Sequence, residues 1–248
     1  MTVDDASHWV AGVDGCPAGW IAVLRDLTGR EAARVRVAPQ LVDVIDAPER
    51  PAVIAVDMPI GLPDRIGLAG RGPERLVRPL LGQRQSSVFA IPARAAVEAT
   101  DYRAACAAAL AASDPPRKVS KQAFFLFAKI REIDALLRAR PSLQERVWES
   151  HPEVAFWRMN GGRSLAHPKK VQSRVHPPGV AERRALLLGA GLPLALAEHS
   201  VPRGAALDDL LDAMAVSVVA ERIAKGEALS FPDPPARDSH GLPVAIRA

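Results

Sequence analysis

VAGVDGCPAGWIAVL, residues 10–24, consists of two apolar runs separated by a cluster of turn-forming residues. The first run extends from Val10 to Asp14 and ends in an acid, and the second extends from Trp20 to Leu24. The glycines and the proline between them favour a tight turn. The stretch therefore predicts an antiparallel hairpin with Asp14 at the end of its first strand.

Three further strands are predicted downstream of this hairpin. Residues 33–38 alternate valines with arginines, which is typical of a strand with one buried face. Residues 52–56 are apolar at every position and end at Asp57, which favours a central strand covered on both faces. Residues 146–150 predict a fifth strand. The expected fold is an α/β protein with a mixed five-stranded sheet, forming a single domain over residues 1–248.

Helices are expected between and after these strands. A short helix is predicted within residues 39–47. An insertion over residues 60–145, rich in glycine, proline and arginine, follows the fourth strand and contains a helix that starts after Ser120. Later helices are predicted around Ala185 and from Leu207 to about Lys225. The proline-rich tail from Phe231 is expected to lie over the surface.

Carboxylates cluster at positions that suit a metal site. Asp14 and Asp57 each end a strand, and ligands of open α/β sheets gather at the carboxyl ends of strands. Asp209 and Asp212 are three residues apart on the last helix and therefore share a face. That face continues as an apolar stripe, where an unpaired charge is costly. We expect metal ligation by Asp14, Asp57, Asp209 and Asp212, while helix capping remains open for Asp209 and Asp212.

A second group of candidate residues follows the fifth strand. If the strand continues beyond residue 150, Glu149, His151 and Glu153 point to one side. Glu149 and Glu153 are candidate ligands, with Glu149 the candidate catalytic residue, and His151 is a candidate proton shuttle. His151 and Glu153 are also candidates for contacting substrate. A solvated edge that ends at Pro152 is the alternative.

Hydroxyl and basic side chains suggest contacts with phosphate. The candidates are Arg84, Ser86, Ser87 and Arg94 in the loop after the central strand, and Lys169 and Lys170 in a later loop. Between Arg163 and Arg184 there are six Lys or Arg and one acid. A purely structural loop is the alternative for both stretches.

Composition limits the classes of function. The chain has 32 Lys and Arg, 28 Asp and Glu, and a net charge of +4, which permits an anionic partner without requiring one. The two cysteines form no C-x-x-C pair, which favours a reducing compartment. No signal peptide or membrane-spanning run is visible. We expect a cytoplasmic protein that does not bind membranes, and the oligomeric state stays open.

Several motifs in order along the chain resemble those of one family, the predicted RNase H-like nucleases (domain of unknown function 429). They are residues 12–20 (GVDGCPAGW), 56–63 (VDMPIGLP), 81–82 with 86–89 (LG and SSVF), 151–153 (HPE) and 208–213 (DDLLDA).

The resemblance implies an RNase H-like sheet with three antiparallel and two parallel strands. It also implies acids on the first strand, the fourth strand and the last helix, here Asp14, Asp57, and Asp209 or Asp212. Hard divalent cations such as Mg²⁺ and Mn²⁺ prefer oxygen ligands, and two such ions can drive phosphodiester hydrolysis. We therefore expect a nuclease with a two-metal site and nucleic acid as its partner.

Two other functions are compatible with the same pattern. One is a nucleotide-binding phosphotransferase, since the fold also underlies the actin and sugar-kinase group, although that group normally carries two copies of the fold. The other is a non-catalytic RNase H-like nucleic-acid-binding module, in which the carboxylates would be structural.

Overall fold

Three antiparallel strands form the first part of the fold, as the hairpin motif predicts. In the computed structural model, which describes residues 7–68, 70–172 and 174–248, they are β1 (Trp9–Cys16), β2 (Gly19–Asp26) and β3 (Arg34–Ala38). A short helix, α1 (Leu41–Ile45), leads to β4 (Val53–Val56). The first four of the five predicted strands and the short helix are confirmed to within a few residues.

The insertion after β4 is helical, as expected. It contains α2 (Gly72–Val77), a 3-10 segment (Arg78–Ser87), α3 (Arg94–Glu98), α4 (Tyr102–Ala111) and α5 (Lys121–Ala139). The hydroxyl of Ser120 accepts the Ala123 amide and so caps α5, which confirms the predicted start of that helix. A second 3-10 turn (Pro141–Glu145) then leads back to the sheet at β5 (Val147–Glu149).

The remaining elements follow β5. They are α6 (Pro152–Met159), the two-residue strands β6 (Lys170–Val171) and β7 (Arg174–Val175), α7 (Pro177–Gly189), α8 (Leu194–Ala197), α9 (Leu207–Ala224), β8 (Ser230–Arg237) and β9 (Pro243–Arg247). The predicted helices around Ala185 and from Leu207 are confirmed by α7 and α9.

The main sheet is mixed and has the strand order β3-β2-β1-β4-β5. β1 pairs antiparallel with β2, while β1, β4 and β5 run parallel to one another. Val13 of β1 lies beside Val56 of β4, and Val56 lies beside Glu149 of β5. The carboxyl ends of the three parallel strands are therefore level with one another at one edge of the sheet.

Alternation along β1 and β4 divides the core into two layers. Ala11, Val13 and Val56 pack on the side of the insertion helices, whereas Val10 and Ala55 pack on the side of α9. Because side chains alternate along a strand, each residue of these strands is assigned to a face by its position in this pattern.

Gly12 permits an unusually close approach between α9 and the sheet. A Cβ atom at Gly12 would lie 2.2 Å from both the Ala213 carbonyl oxygen and the Ser217 amide nitrogen. Only glycine lets the helix rest on the backbone of β1 at this point. Along most of its length α9 is buried, from Leu210 to Ala220, as is expected of a helix that is apolar on nearly all sides.

The proline-rich residues 231–237 of the tail are half-buried or exposed, as expected, but the last residues of the chain are buried, which was not expected. Residues after 229 form the antiparallel hairpin β8–β9, and Leu242, Ile246 and Ala248 are buried. The Ser150 hydroxyl donates to the Arg247 carbonyl at 2.9 Å, which joins β9 to the end of β5. The prolines of β8 argue against a central strand, but an edge strand tolerates them.

The two cysteines are not paired with each other. Cys16 and Cys106 are both buried free thiols. Within the described ranges, no helix combines the length and apolarity needed to cross a membrane.

Candidate metal centre

Asp14 and Asp57 project from the same face of the sheet. Asp14 lies two residues after Gly12 and Asp57 two residues after Ala55, so both follow the side of β1 and β4 that faces α9. The Asp57 amide donates to the Val13 carbonyl at 2.8 Å, which fixes the two strand ends side by side. The strand-end acids therefore lie next to each other and beneath α9.

Asp212 completes the group from the helix above. It lies in the second turn of α9, close to the point where that helix rests on Gly12. One carboxylate oxygen from each of Asp14, Asp57 and Asp212 lies within 4.8 Å of the other two. Oxygens around a single Mg²⁺ are about 3–4 Å apart, given Mg–O distances of about 2.1 Å. These three residues, which we call the acidic centre, could hold a metal ion.

Burial and mutual repulsion make the acidic centre unfavourable without a cation. Burial raises the pKa of Asp57 and of Asp212 to about 7. Burial, followed by the charges of Asp57 and Asp212, raises the pKa of Asp14 well above its ordinary value. Carboxylates whose charged form is destabilised in this way are favourable binding sites for a cation.

Two buried carboxylate oxygens near the centre lack a partner. Asp212 Oδ1 and Glu153 Oε2 form no hydrogen bond with any part of the chain that the structure describes. Such atoms are rare in proteins, because burying an unpaired polar group is costly. The ligand set is made of oxygen atoms only, which fits Mg²⁺ or Mn²⁺ better than zinc or copper.

Asp209 has a different role from Asp212. Its carboxylate accepts the Ala206 amide at 2.8 Å and so caps the amino end of α9. The capping alternative thus describes Asp209, while Asp212 joins Asp14 and Asp57. The expectation that Asp209 is also a ligand is not supported by this geometry.

Glu149 lies on the opposite face of the sheet. It shares the orientation of Val147, which packs on the side of the insertion helices. Its Oε1 accepts Arg71 Nη2 at 2.5 Å and its Oε2 accepts the Ile60 amide at 2.8 Å. Burial raises the pKa of Glu149 to about 7, against the charge of Arg71. The expected role of Glu149 in the metal shell is therefore not supported.

His151 and Glu153 are not on a strand, which corrects the sequence interpretation. β5 ends at Glu149 and α6 starts at Pro152, with His151 as its N-cap. The His151 Nδ1 accepts the Glu153 amide at 3.2 Å, and burial lowers the pKa of the imidazole. Proline at the first helical position is a common helix start, and this signal was available in the sequence.

Glu153 lies close to the acidic centre but is already paired. Its Oε1 accepts Arg183 Nη2 at 2.5 Å, and Arg183 is fully buried. The charge of Glu153 nevertheless raises the pKa of Asp57. Sequence reasoning did not single out Arg183, although a buried glutamate requires a partner of this kind.

The two loop lysines contact acids of α9. Lys169 forms an ion pair with Asp212, which raises the pKa of the lysine. Lys170 pairs with Asp208 at 2.7 Å. Both were expected to contact a nucleic-acid backbone, and the structure instead places Lys169 beside the acidic centre.

The four candidates in the insertion have different surroundings. Arg94 is buried and pairs with Asp134 at 2.8 Å and with Asp238 at 2.7 Å, so its role is structural rather than in binding substrate. Ser86 is exposed on the 3-10 segment, whereas Arg84 is half-buried. Ser87 donates its hydroxyl to the Arg84 carbonyl at 2.7 Å and lines a cavity beside the centre.

This cavity lies at the carboxyl ends of the parallel strands. It has a volume of about 160 Å³, and Asp14 and Asp57 contribute to its wall. Its apolar lining includes Met58, Phe89 and Leu126. A cavity of about 150 Å³ admits a ring the size of benzene, so a small group can enter beside the acidic centre.

One family model matches the chain. The family described as "Protein of unknown function (DUF429)" matches residues 12–237. No curated protein and no solved structure matches.

Proposed function

The chain belongs to the DUF429 family, and from this premise and the acidic centre we propose that it is a divalent-metal-dependent nuclease of RNase H-like type. The observation that carries the proposal is the convergence of Asp14, Asp57 and Asp212 at the carboxyl ends of β1 and β4. The sheet order and the position of the acids agree with the RNase H-like resemblance in the sequence. Fold alone does not define activity, so the proposal depends on the site.

Asp14, Asp57 and Asp212 would hold Mg²⁺ or Mn²⁺ through their carboxylate oxygens. A divalent ion supplies water activation and stabilisation of negative charge on a phosphoryl group. Asp212 Oδ1, which is buried and has no hydrogen-bond partner among the described residues, offers a free ligand atom. The expected pair of ions would lie about 4 Å apart, and the number that bind depends on Lys169, which pairs with Asp212.

Nucleic acid is the substrate that we propose. Arg174 is exposed on the β6–β7 hairpin that follows Lys169. Half-buried Arg84 and exposed Ser86 lie on the segment whose Ser87 lines the cavity. Arginine and hydroxyl groups are suited to contacts with phosphate oxygens on either side of a scissile bond. The two free thiols agree with the reducing, cytoplasmic location that we also propose.

A nuclease assay with matched variants tests the proposal. The protein should cleave single- or double-stranded DNA or RNA in the presence of Mg²⁺ or Mn²⁺ and not in EDTA. Asp57→Asn and Asp212→Asn should each reduce the rate by at least about 100-fold, because each removes a ligand charge. Asp209→Asn is the matched control, because the side-chain oxygen of asparagine can still accept the Ala206 amide.

Full activity of Asp57→Asn, or equal loss in Asp209→Asn and Asp212→Asn, would argue against the acidic centre. A protein that binds nucleic acid without cleaving it under any metal condition would favour the non-catalytic module.

Hydrolysis or transfer of a phosphate group on a small molecule such as a nucleotide is the second candidate. The cavity of about 160 Å³ beside Asp14 and Asp57 favours it, because a duplex cannot enter so small a space. Leu126→Trp would reduce the cavity. Loss of activity on nucleoside phosphates with unchanged cleavage of oligonucleotides would assign the cavity to small substrates.

A further inference from the structure

Lys169 is a fixed positive charge inside the acidic centre. Its ammonium pairs with Asp212 Oδ2, and its side chain is only 26% exposed. Its charge also acts on Asp14 and Asp57. A lysine on a loop usually extends into solvent, so this inward orientation requires an explanation from the surrounding structure.

The chain before Lys169 is anchored to α7 by hydrogen bonds. The carboxylate of Glu182 accepts the amides of Ala166 and His167 at 2.8 and 2.9 Å. Arg183, which is fully buried, donates to the His167 carbonyl at 3.1 Å. These bonds hold the loop two residues before the lysine.

Packing and pairing hold the loop on either side of the lysine. A Cβ atom at Gly179 would lie 1.9 Å from the Pro168 carbonyl oxygen, so α7 contacts the backbone directly before Lys169. The His176 amide donates to the Lys169 carbonyl at 2.9 Å, at the base of the β6–β7 hairpin. The ammonium is thus placed by the fold and does not reach the centre by chance.

The charges in the centre indicate how many cations it can hold. Asp14, Asp57 and Asp212 contribute three negative charges and Lys169 contributes one positive charge. Glu153 is compensated by Arg183. One divalent cation balances the net negative charge that remains. Two divalent cations would leave an excess of positive charge in a buried site.

The two carboxylate oxygens of Asp212 also indicate that the centre holds a single divalent cation. Oδ2 contacts the ammonium of Lys169, while Oδ1 is buried without a hydrogen-bond partner in the described parts of the chain. Asp212 therefore has one oxygen committed to the lysine and one available for a metal ion.

We propose that the centre binds a single divalent cation and that Lys169 is its permanent second cation, in the place where a two-metal nuclease would hold another ion. This inference rests on the proposed function. With substrate bound, the Lys169 ammonium would donate a hydrogen bond to a phosphoryl oxygen and offset its negative charge, as the second ion would.

Counting Mn²⁺ ions by calorimetry tests the inference without relying on activity. Wild-type protein should bind one ion per chain. Lys169→Met removes the charge and keeps an unbranched side chain, so it should bind two ions, the first at least about tenfold more tightly. Lys169→Arg should bind one ion. Lys170→Met is the matched control on the same loop and should also bind one.

Each result separates the two proposals. If the wild type bound two ions, the role of Lys169 would be overturned and the metal-dependent function would stand. The same conclusion would follow if Lys169→Met bound one ion with unchanged affinity. No binding by the wild type would overturn the metal-dependent function itself, whether or not Lys169→Met then bound an ion. The wild-type count is decisive even if Lys169→Met does not fold.

Discussion

Two buried ionic clusters lie on opposite faces of the same sheet edge, and they differ in how their charges are balanced. On the side of the insertion helices, Arg71 pairs with Glu149 and Glu74, with the Arg71 and Glu149 side chains 1% and 4% exposed. On the side of α9, three carboxylates face one ammonium, whose side chain is 26% exposed.

Hydrogen bonding differs between Glu149 of the first cluster and Asp212 of the acidic centre. Both oxygens of Glu149 have donors, and Arg71 also donates to the carbonyls of Ile60 and Gly61. In the acidic centre, Asp212 Oδ1 has no partner among the described residues. Glu74 Oε2 in the first cluster is also buried without a partner among the described residues, so an orphaned oxygen alone does not mark a ligand site. The clusters differ in charge: Arg71 faces two carboxylates, whereas Lys169 faces three. The comparison teaches that the larger excess of negative charge is what favours a bound cation.

The largest expected effect comes from breaking the cluster around Arg71. Arg71→Met leaves Glu149 buried without its cation, and we expect the free energy of unfolding to fall by about 3–5 kcal/mol. Urea denaturation of metal-free protein measures this change. The double variant with Glu149→Gln should recover part of the loss. A loss below about 1 kcal/mol in the single variant would contradict a structural role.

A smaller effect of opposite sign is expected in the acidic centre. The pKa of Asp57 is raised from 3.8 to about 7, so the folded state binds its proton more tightly than the unfolded chain does. The ionised carboxylate therefore destabilises the metal-free fold as pH rises from about 4 to 7, and fully above that. Asp57→Asn should stabilise metal-free protein at pH 8, on the order of 1–2 kcal/mol.

The same variant supplies its own control at low pH. Near pH 4 the wild-type carboxyl is protonated when folded, so the stabilisation by Asp57→Asn should disappear. Urea denaturation in EDTA at both pH values would show this. If the stabilisation by Asp57→Asn did not change with pH, repulsion between carboxylates in the centre would not be its cause.

The smallest effect is expected at the exposed pair beside the centre. The side chains of Lys170 and Asp208 are 42% and 22% exposed, so water screens their attraction. Lys170→Met should change the free energy of unfolding by no more than about 0.5 kcal/mol. A loss approaching that of Arg71→Met would show that burial does not set the contribution of an ion pair in this protein.

The sequence predicted the strands and the two strand-end acids because their signals are local. That Asp14 and Asp57 share a face follows from alternation only once the register of β1 against β4 is known. The face of Glu149 likewise depends on the register of β5 against β4. The helical start at Pro152, in contrast, was readable from the sequence.

Other features depended on contacts that no local pattern encodes. Lys169 reaches the acidic centre because Glu182 and Arg183, more than ten residues later, hold its loop. The β8–β9 hairpin is stabilised by packing against the rest of the chain, whereas its prolines argue against a strand. Asp209 and Asp212 were indistinguishable by spacing, and the Ala206 amide separates them.

The contact at Gly12 has a consequence for natural variants of this chain. The spacing among the three carboxylates is set by how closely α9 approaches β1, and a methyl group at position 12 would meet the helix backbone at 2.2 Å. A variant with alanine there would keep every acid in its sequence and still have the helix displaced from the sheet. A sequence comparison that checked only the acidic residues would classify such a natural variant as intact. Its cation site would nevertheless be distorted, by a residue that has no functional group.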